Sequence, residues 1–367
     1  MYRIKRASPT MLAQHVKAVK VELEKRIREM HPDHGGQTLL IVDNKHLKLT
    51  AKVKMGSVTE WFLSWLLEDR HLDNLLTGNM DYLLSVIKMV DDKCEETGAD
   101  RRLVHCSMTE KLFAELFNGG REYPEGTTKE EDVFNDVLYH IFVTKGYEDT
   151  TVFSKNRHVE TLNLRICPYC GRQFIYAVEE NGTTVKPQID HFLPKRKYPF
   201  FALSFFNLIP VCNTCNMIGC KGNHDPLHPD GQRPFSMIYP YEFEDENLDF
   251  HIQLTNSHYY DTDNFKVLID YKGNTKLGNG CKDFLKLDAF YAYHNYEAAN
   301  IYRQFMVLKS KAAVYYKAFG LPEKYLSPTP KLIFGHGFDE KTSREVLLYK
   351  FKKDVYEQFK RITATLR

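Results

Sequence analysis

The sequence predicts an α+β protein: a short metal-stapled strand–loop–strand–helix unit set between two mostly helical regions. Two observations carry that prediction. Cys167-Pro-Tyr-Cys170 and Cys212-Asn-Thr-Cys215 are matched Cys-x-x-Cys pairs enclosing β-rich text, and apolar residues recur at helical spacing on both sides of them. The reading divides the chain into 1–150, mostly helical with a β-hairpin near 38–54; 151–245, carrying the stapled unit; and 246–367, mostly helical again.

In the first region Ser8-Pro9 reads as an N-cap followed by proline at the first helical position, opening a charged amphipathic helix to Met30. "GGQTLLIVDNKHLKLTAKVKM" alternates across a polar turn, so Leu47, Leu49, Ala51 and Val53 are expected on one face of a hairpin. Ser57 and Glu60 have capping-box spacing before "WFLSWLLEDR". "MDYLLSVIKMVDDK" and "EEDVFNDVLYHIFVTKG" read as further helices, and no chemistry-bearing motif falls in this region. In the last region "NLDFHIQLT" and "FKVLIDY" read as strands, and helices follow whose Tyr and Phe recur at the spacing of a packed face. The basic run "KFKKDVYEQFKR" reads as a solvated helix face.

A net charge of +2 argues neither for nor against a nucleic-acid partner. No apolar run approaches the ~18 residues of a membrane span, and basic "MYRIKRASPT" lacks the apolar stretch of a secretory signal, so a cytoplasmic protein without a membrane partner is expected. In that compartment eight cysteines point to metal rather than disulfides. Two thiolates on each knuckle suit a closed tetrahedral zinc site, which is structural because no coordination position stays open. Cys94, Cys106 and Cys281 are expected to be buried small apolar residues.

The staple encloses a site. "RQFIYAV-EENG-TTVKPQID" has an Asn181-Gly182 hairpin signal, and its second strand is expected to deliver Asp190-His191. An apolar loop around Asn207 follows, then the second knuckle with Asn216 directly after Cys215. Strand, loop, strand and helix pinned by zinc make a ββα-metal arrangement. An imidazole such as His191 takes a proton from water near neutral pH. Asp190 and Asn216 offer hard oxygen ligands for one Mg²⁺ or Mn²⁺. Basic "KPQIDHFLPKRKYPF" places Lys195, Arg196 and Lys197 directly after the pair, and Lys221 follows the second knuckle. All four are candidate phosphate contacts.

"CPYCGRQFIYAV…PQIDHFLPKRKYPFFALSFFNLIPVCNTCN…KG" resembles the zinc-containing HNH endonucleases, closest to the bacterial anti-phage HNH proteins akin to PtuB of the Septu systems, which are encoded beside an ATPase and also occur with retrons. The resemblance covers residues 167 to about 240. It implies an HNH nuclease core that hydrolyses phosphodiesters of nucleic acid, DNA ahead of RNA, with an ATPase partner. It also implies roles: His191 as general base, Asp190 and Asn216 on a catalytic cation that stabilises the leaving 3′ oxygen, and Asn207 bonded to backbone to hold the loop that orients His191. The chain departs from the pattern where many relatives carry lysine three residues after the second-knuckle asparagine, for that position is Gly219 and Lys221 comes two later. Cys220 stands one helical turn after Asn216, where a histidine ligand is found in other members, and His224 of "KGNHDP" is a substitute third ligand. Two alternatives remain at this point: an RNA- or tRNA-cleaving effector, and a zinc-stapled module that binds nucleic acid or a partner without catalysis.

Overall fold

Ser8 caps the first helix, α1 (Pro9–Met30), by accepting from the Met11 amide, and proline fills the first helical position. Its inward residues, His15, Val19, Leu23 and Ile27, lie four apart on one stripe. The computed structural model describes residues 1–31, 38–44, 47–53, 56–99, 134–181, 183–228, 233–256, 258, 261–272, 275–319 and 329–365. The expected hairpin is β1 (Thr38–Asn44) paired antiparallel with β2 (Leu47–Val53). The side chains of Leu47, Leu49, Ala51 and Val53 lie outside the described part, as does Cys106.

Three helices follow: α2 (Ser57–Leu67), α3 (His71–Thr77) and α4 (Met80–Thr97). The capping box expected of Ser57 and Glu60 is not formed. Gly56 is the N-cap and makes no side-chain cap bond, so Ser57 already lies inside the helix. Next, α5 (Phe134–Leu138) continues as a π-helical stretch, Tyr139–Tyr147, whose wider winding leaves Tyr147 buried at its end. Such stretches recur at functional sites. Ser154 then caps α6 (Lys155–Leu162).

The middle of the chain holds two separate strand pairs. β3 (Val178–Glu180) and β4 (Thr183–Val185) form the expected small hairpin, with Asn181 in the left-handed region at its turn. This hairpin does not deliver Asp190-His191. Lys186-Pro187 follows β4, proline has no amide to donate to a ladder, and a new strand, β5 (Gln188–His191), pairs antiparallel with β6 (Leu208–Val211). Between them runs a loop with 3₁₀ turns at Pro199–Phe201 and Phe205–Asn207. The second knuckle carries only one helical turn, α7 (Asn213–Asn216).

In the last region β7 (Leu248–Leu254) pairs with β8 (Phe265–Tyr271). Then come α8 (Thr275–Leu285), α9 (Leu287–Tyr291), α10 (Asn295–Phe319), α11 (Pro330–Phe334) and α12 (Tyr349–Thr365). Side chains of α12 satisfy the outer edge of β7: Asp354 accepts from the Phe250 amide, and Gln358 both accepts from and donates to the Ile252 backbone. The edge is thereby closed to a further strand. The basic run on α12 pairs with acids, the buried Lys350 with Asp249 and Asp354 and, at the surface, Lys353 with Asp245. Its aromatics are core, with Phe351, Tyr356 and Phe359 buried. Among the described residues, no helix is long and apolar enough to cross a membrane.

His15 and His158 meet within a ring of Phe153 and Phe205. Burial, then the charge of His15, pulls the imidazole pKa of His158 down to about 3, and burial lowers that of His15. In the unfolded chain both titrate near ~6.5. Their contribution to stability is full above that value and is lost as pH falls through the window toward the folded pKa. The urea midpoint should therefore be lower at about pH 5 than at about pH 7. His158→Gln, which keeps a donor for the Leu208 carbonyl, should shrink the difference. An undiminished difference in that variant would remove His158 from this role.

Candidate active site and metal centre

Cys167, Cys170, Cys212 and Cys215 are all buried, with their sulfurs within 4.8 Å of one another. Four thiolates around zinc at about 2.3 Å stand roughly 3.8 Å apart, and Cys170 Sγ to Cys212 Sγ is 3.9 Å. The donor set therefore fits tetrahedral zinc. Among the described residues it is the only cluster of three or more His, Cys, Asp or Glu placed to hold an ion. Each knuckle is formed by the backbone. Gly171 N donates to Cys167 O with glycine in the left-handed region, and Asn216 N donates to Cys212 O. The last region closes over the first knuckle, Tyr291 Oη donating to Cys170 O and Leu348 N to Gly171 O.

The staple holds β5. Asp190 is 3% exposed, and both carboxylate oxygens are engaged: Tyr169 Oη donates to Oδ2 at 2.5 Å and Lys221 Nζ to Oδ1 at 3.1 Å. Tyr169 comes from inside the first knuckle and Lys221 from just after the second, so the zinc site positions both partners of the aspartate. Lys221 has no exposed surface and also donates to the carbonyl of His191 at 2.7 Å. Burial lowers its ammonium pKa, with Asp190 opposing. The expected phosphate contact at Lys221 is therefore corrected: the ammonium is the internal counter-charge of Asp190.

Alternation along β5 sends His191 to the opposite face from Asp190. Its Nε2 lies 3.1 Å from the carbonyl of Ala202, so Nε2 carries the proton and Nδ1 the lone pair. Burial, then the charges of Lys195, Lys221 and Lys155, holds the imidazole well below its ordinary pKa. Asn207 is buried, accepting from Leu193 N at 2.7 Å and donating to Leu193 O and Phe201 O at 3.1 Å each. Its amide thus closes the loop that places Ala202 against His191.

The remaining expected residues scatter. Asn216 Nδ2 donates to Gln188 Oε1 at 2.7 Å, two residues before Asp190 on the same face of β5. Asn216 is bonded to Gln188, and both oxygens of Asp190 are taken up by Tyr169 and Lys221, so the pair as placed does not fit a hard divalent cation. His224 turns its ring edge toward Phe284, with centroids 6.4 Å apart. Lys197 is held by Asp225 at 3.0 Å, together with Tyr198 and His228. Lys195 pairs with Glu148 at 2.9 Å, and Arg196 is exposed.

Two residues not marked in the sequence stand beside His191. Tyr147 meets it edge-on at 4.5 Å between centroids, so the first helical region does reach the site. Lys155, the first residue of α6, places its ammonium 4.2 Å from the centre of the same tyrosine ring, and Lys195 places its own at 5.1 Å. The signal for Lys155 was present: a lysine directly after an N-cap serine opposes the helix dipole.

Three substitutions test this construction. Cys212→Ser should lose the bound zinc, read by metal analysis of purified protein; full zinc content would refute the four-thiolate site. Removing one partner of a buried ion pair costs about 3–5 kcal/mol, so Lys221→Met should destabilise by about that amount in urea unfolding. Lys221→Met combined with Asp190→Asn should cost clearly less, and a double variant as unstable as the single would show the pair uncoupled.

No family model matches the chain, and no solved structure matches it. Over 70 residues, 17% of this chain, it is 40% identical to protein ea31 of Escherichia phage lambda, and the match spans 20% of that protein.

Proposed function

We propose that this chain is a nuclease of the HNH kind, hydrolysing phosphodiester bonds of nucleic acid, DNA ahead of RNA. The reading is carried by the surroundings of His191. His15, His158 and His191 are all buried and each bonds a backbone carbonyl through Nε2. The first two are ringed by phenylalanines, a setting in which an imidazole is a carbonyl cap and nothing more. His191 instead shares Tyr147 with two lysine ammoniums, so a neutral base stands next to positive charge. Phosphodiester hydrolysis asks for that combination: Nδ1 takes the proton of the attacking water while cations meet the phosphate oxygens.

A catalytic Mg²⁺ or Mn²⁺ is what the sequence resemblance implies. The phosphate contacts do not distinguish base or 2′-OH, so preference for DNA over RNA rests on the resemblance. The same holds for a cytoplasmic role in anti-phage defence beside an ATPase. One observation favours a second reading, a zinc-stapled nucleic-acid-binding module without catalysis: Asp190 is sealed by Lys221 and Tyr169.

Purified zinc-loaded protein incubated with plasmid DNA, single-stranded DNA and RNA, with Mg²⁺, Mn²⁺ or neither, separates the readings. Cleavage by the wild type that is lost in His191→Ala is the expected result. Binding without cleavage, even with cell extract supplying partners, selects the second reading. Equal cleavage by His191→Ala would remove His191 as the base.

A further inference from the structure

We propose that Lys155 and Lys195 form a two-cation clamp for a backbone phosphate of the substrate, with Tyr147 as the plate between them and His191 as its neighbour. The inference rests on the nuclease reading and adds Lys155 and Tyr147, which lie outside the motifs that led to it.

The first observation is an imbalance of charge. Lys155 and Lys195 converge on one tyrosine ring, at 4.2 and 5.1 Å from its centre. The carboxylate with which they share this position is Glu148, which bonds Lys195 at 2.9 Å and influences Lys155 only through space. Lys155 is half-buried. Burial, then the charges of Lys195 and Lys186, lowers its ammonium pKa. Cation–π contact with the ring offsets part of that cost, and the like charges still repel.

A second observation is independent of the first. Lys155 is the first residue of α6, and no acidic residue lies in that helix's first turn. A helix N-terminus carries partial positive charge and favours acids, so a lysine there is placed against the local field. A residue that opposes both its helix and its neighbours is held for something other than stability. The missing element is an anion, and the position identifies its class. Tyr147 touches both lysines and His191, so an anion seated on the lysines lies beside the nitrogen that would take a proton from water. A phosphodiester has the charge and the paired oxygens to engage two ammoniums.

Glu148 then acts as a removable lid on half of the clamp. It occupies Lys195 in the free protein, and nucleic acid must displace it.

Binding is measured with His191→Ala protein, which separates affinity from cleavage, using a short fluorescent duplex DNA across a salt series. Adding Lys155→Met keeps the aliphatic stem over Tyr147. It should weaken binding about tenfold and reduce the slope of log K against log salt by about one. Adding Lys155→Arg should retain most of the affinity, and Glu148→Gln should tighten binding by freeing Lys195. Thermal unfolding gives a second readout. Lys155→Met should raise Tm, because it removes a repelled cation, whereas loss of a merely structural lysine would lower it. Unchanged affinity and salt slope in Lys155→Met, with the duplex still bound by the parent, would overturn the clamp and leave the nuclease reading intact. A parent protein that binds neither duplex nor single strand, in a preparation whose wild type cleaves nothing, would overturn both.

Discussion

A loop that is buried must still satisfy its backbone carbonyls, and this requirement organises the middle of the molecule. From Tyr198 to Leu208 the chain runs through the interior, with Phe200, Phe201, Ala202 and Leu203 fully enclosed. Helix and sheet supply few partners for such a path, so side chains do. Lys221 donates to His191 O, Asn135 to Lys197 O, and Asn207 to Leu193 O and Phe201 O. His191, His15, Tyr239 and His158 lie against the carbonyls of Ala202, Leu203, Phe206 and Leu208. Six buried polar residues, His15, Asn135, His158, His191, Asn207 and Lys221, meet this one demand. It also explains why no linker separates the stapled unit from the helices before it: α1, α5 and α6 each contribute a donor that the loop needs.

The same demand sharpens what counts as evidence for chemistry. A buried histidine bonded to a carbonyl is ordinary here, since His15 and His158 are both of that kind. Burial and a lowered pKa therefore do not single out His191. What does is electrostatic company, for two lysines approach its tyrosine neighbour while the other two imidazoles meet only aromatic rings and each other.

Legibility in the sequence followed the range of the interaction. The two Cys-x-x-Cys knuckles, the Ser8 cap, β7 and β8, and the packed aromatics of α12 rest on contacts within a few residues or on simple periodicity, and each reads directly from the chain. The zinc set was also legible, because two short motifs need only meet once. The site was legible as a list and not as a geometry. Asp190, His191 and Asn207 lie together, but the partner of β5 is β6 rather than the preceding hairpin strand, because Pro187 interrupts the ladder. Lys221 read as a surface cation, since nothing local shows that a charge 31 residues from Asp190 is buried against it. Tyr147 was hidden for another reason: a π-helical stretch shifts the facing of its last residues, and the regular helical period does not forecast that.

Two lysines near one strand thus have opposite physical standing. Lys221 is enclosed, bonded to Asp190 and two carbonyls, and its charge is cancelled where it sits. Lys155 is half-buried, set against a helix dipole and beside like charge, with an aromatic face as its nearest support. A folded chain selected for stability alone would place an acid or a neutral residue at that helix start. The cost is borne next to the buried imidazole of His191, which meets a tyrosine where His15 and His158 meet phenylalanines. A satisfied cation fixes structure, and an unsatisfied one marks where a ligand's charge belongs. On the proposed reading the working face of this protein is the His191 side of β5, and the Asp190 side is the part of the framework that holds it in place.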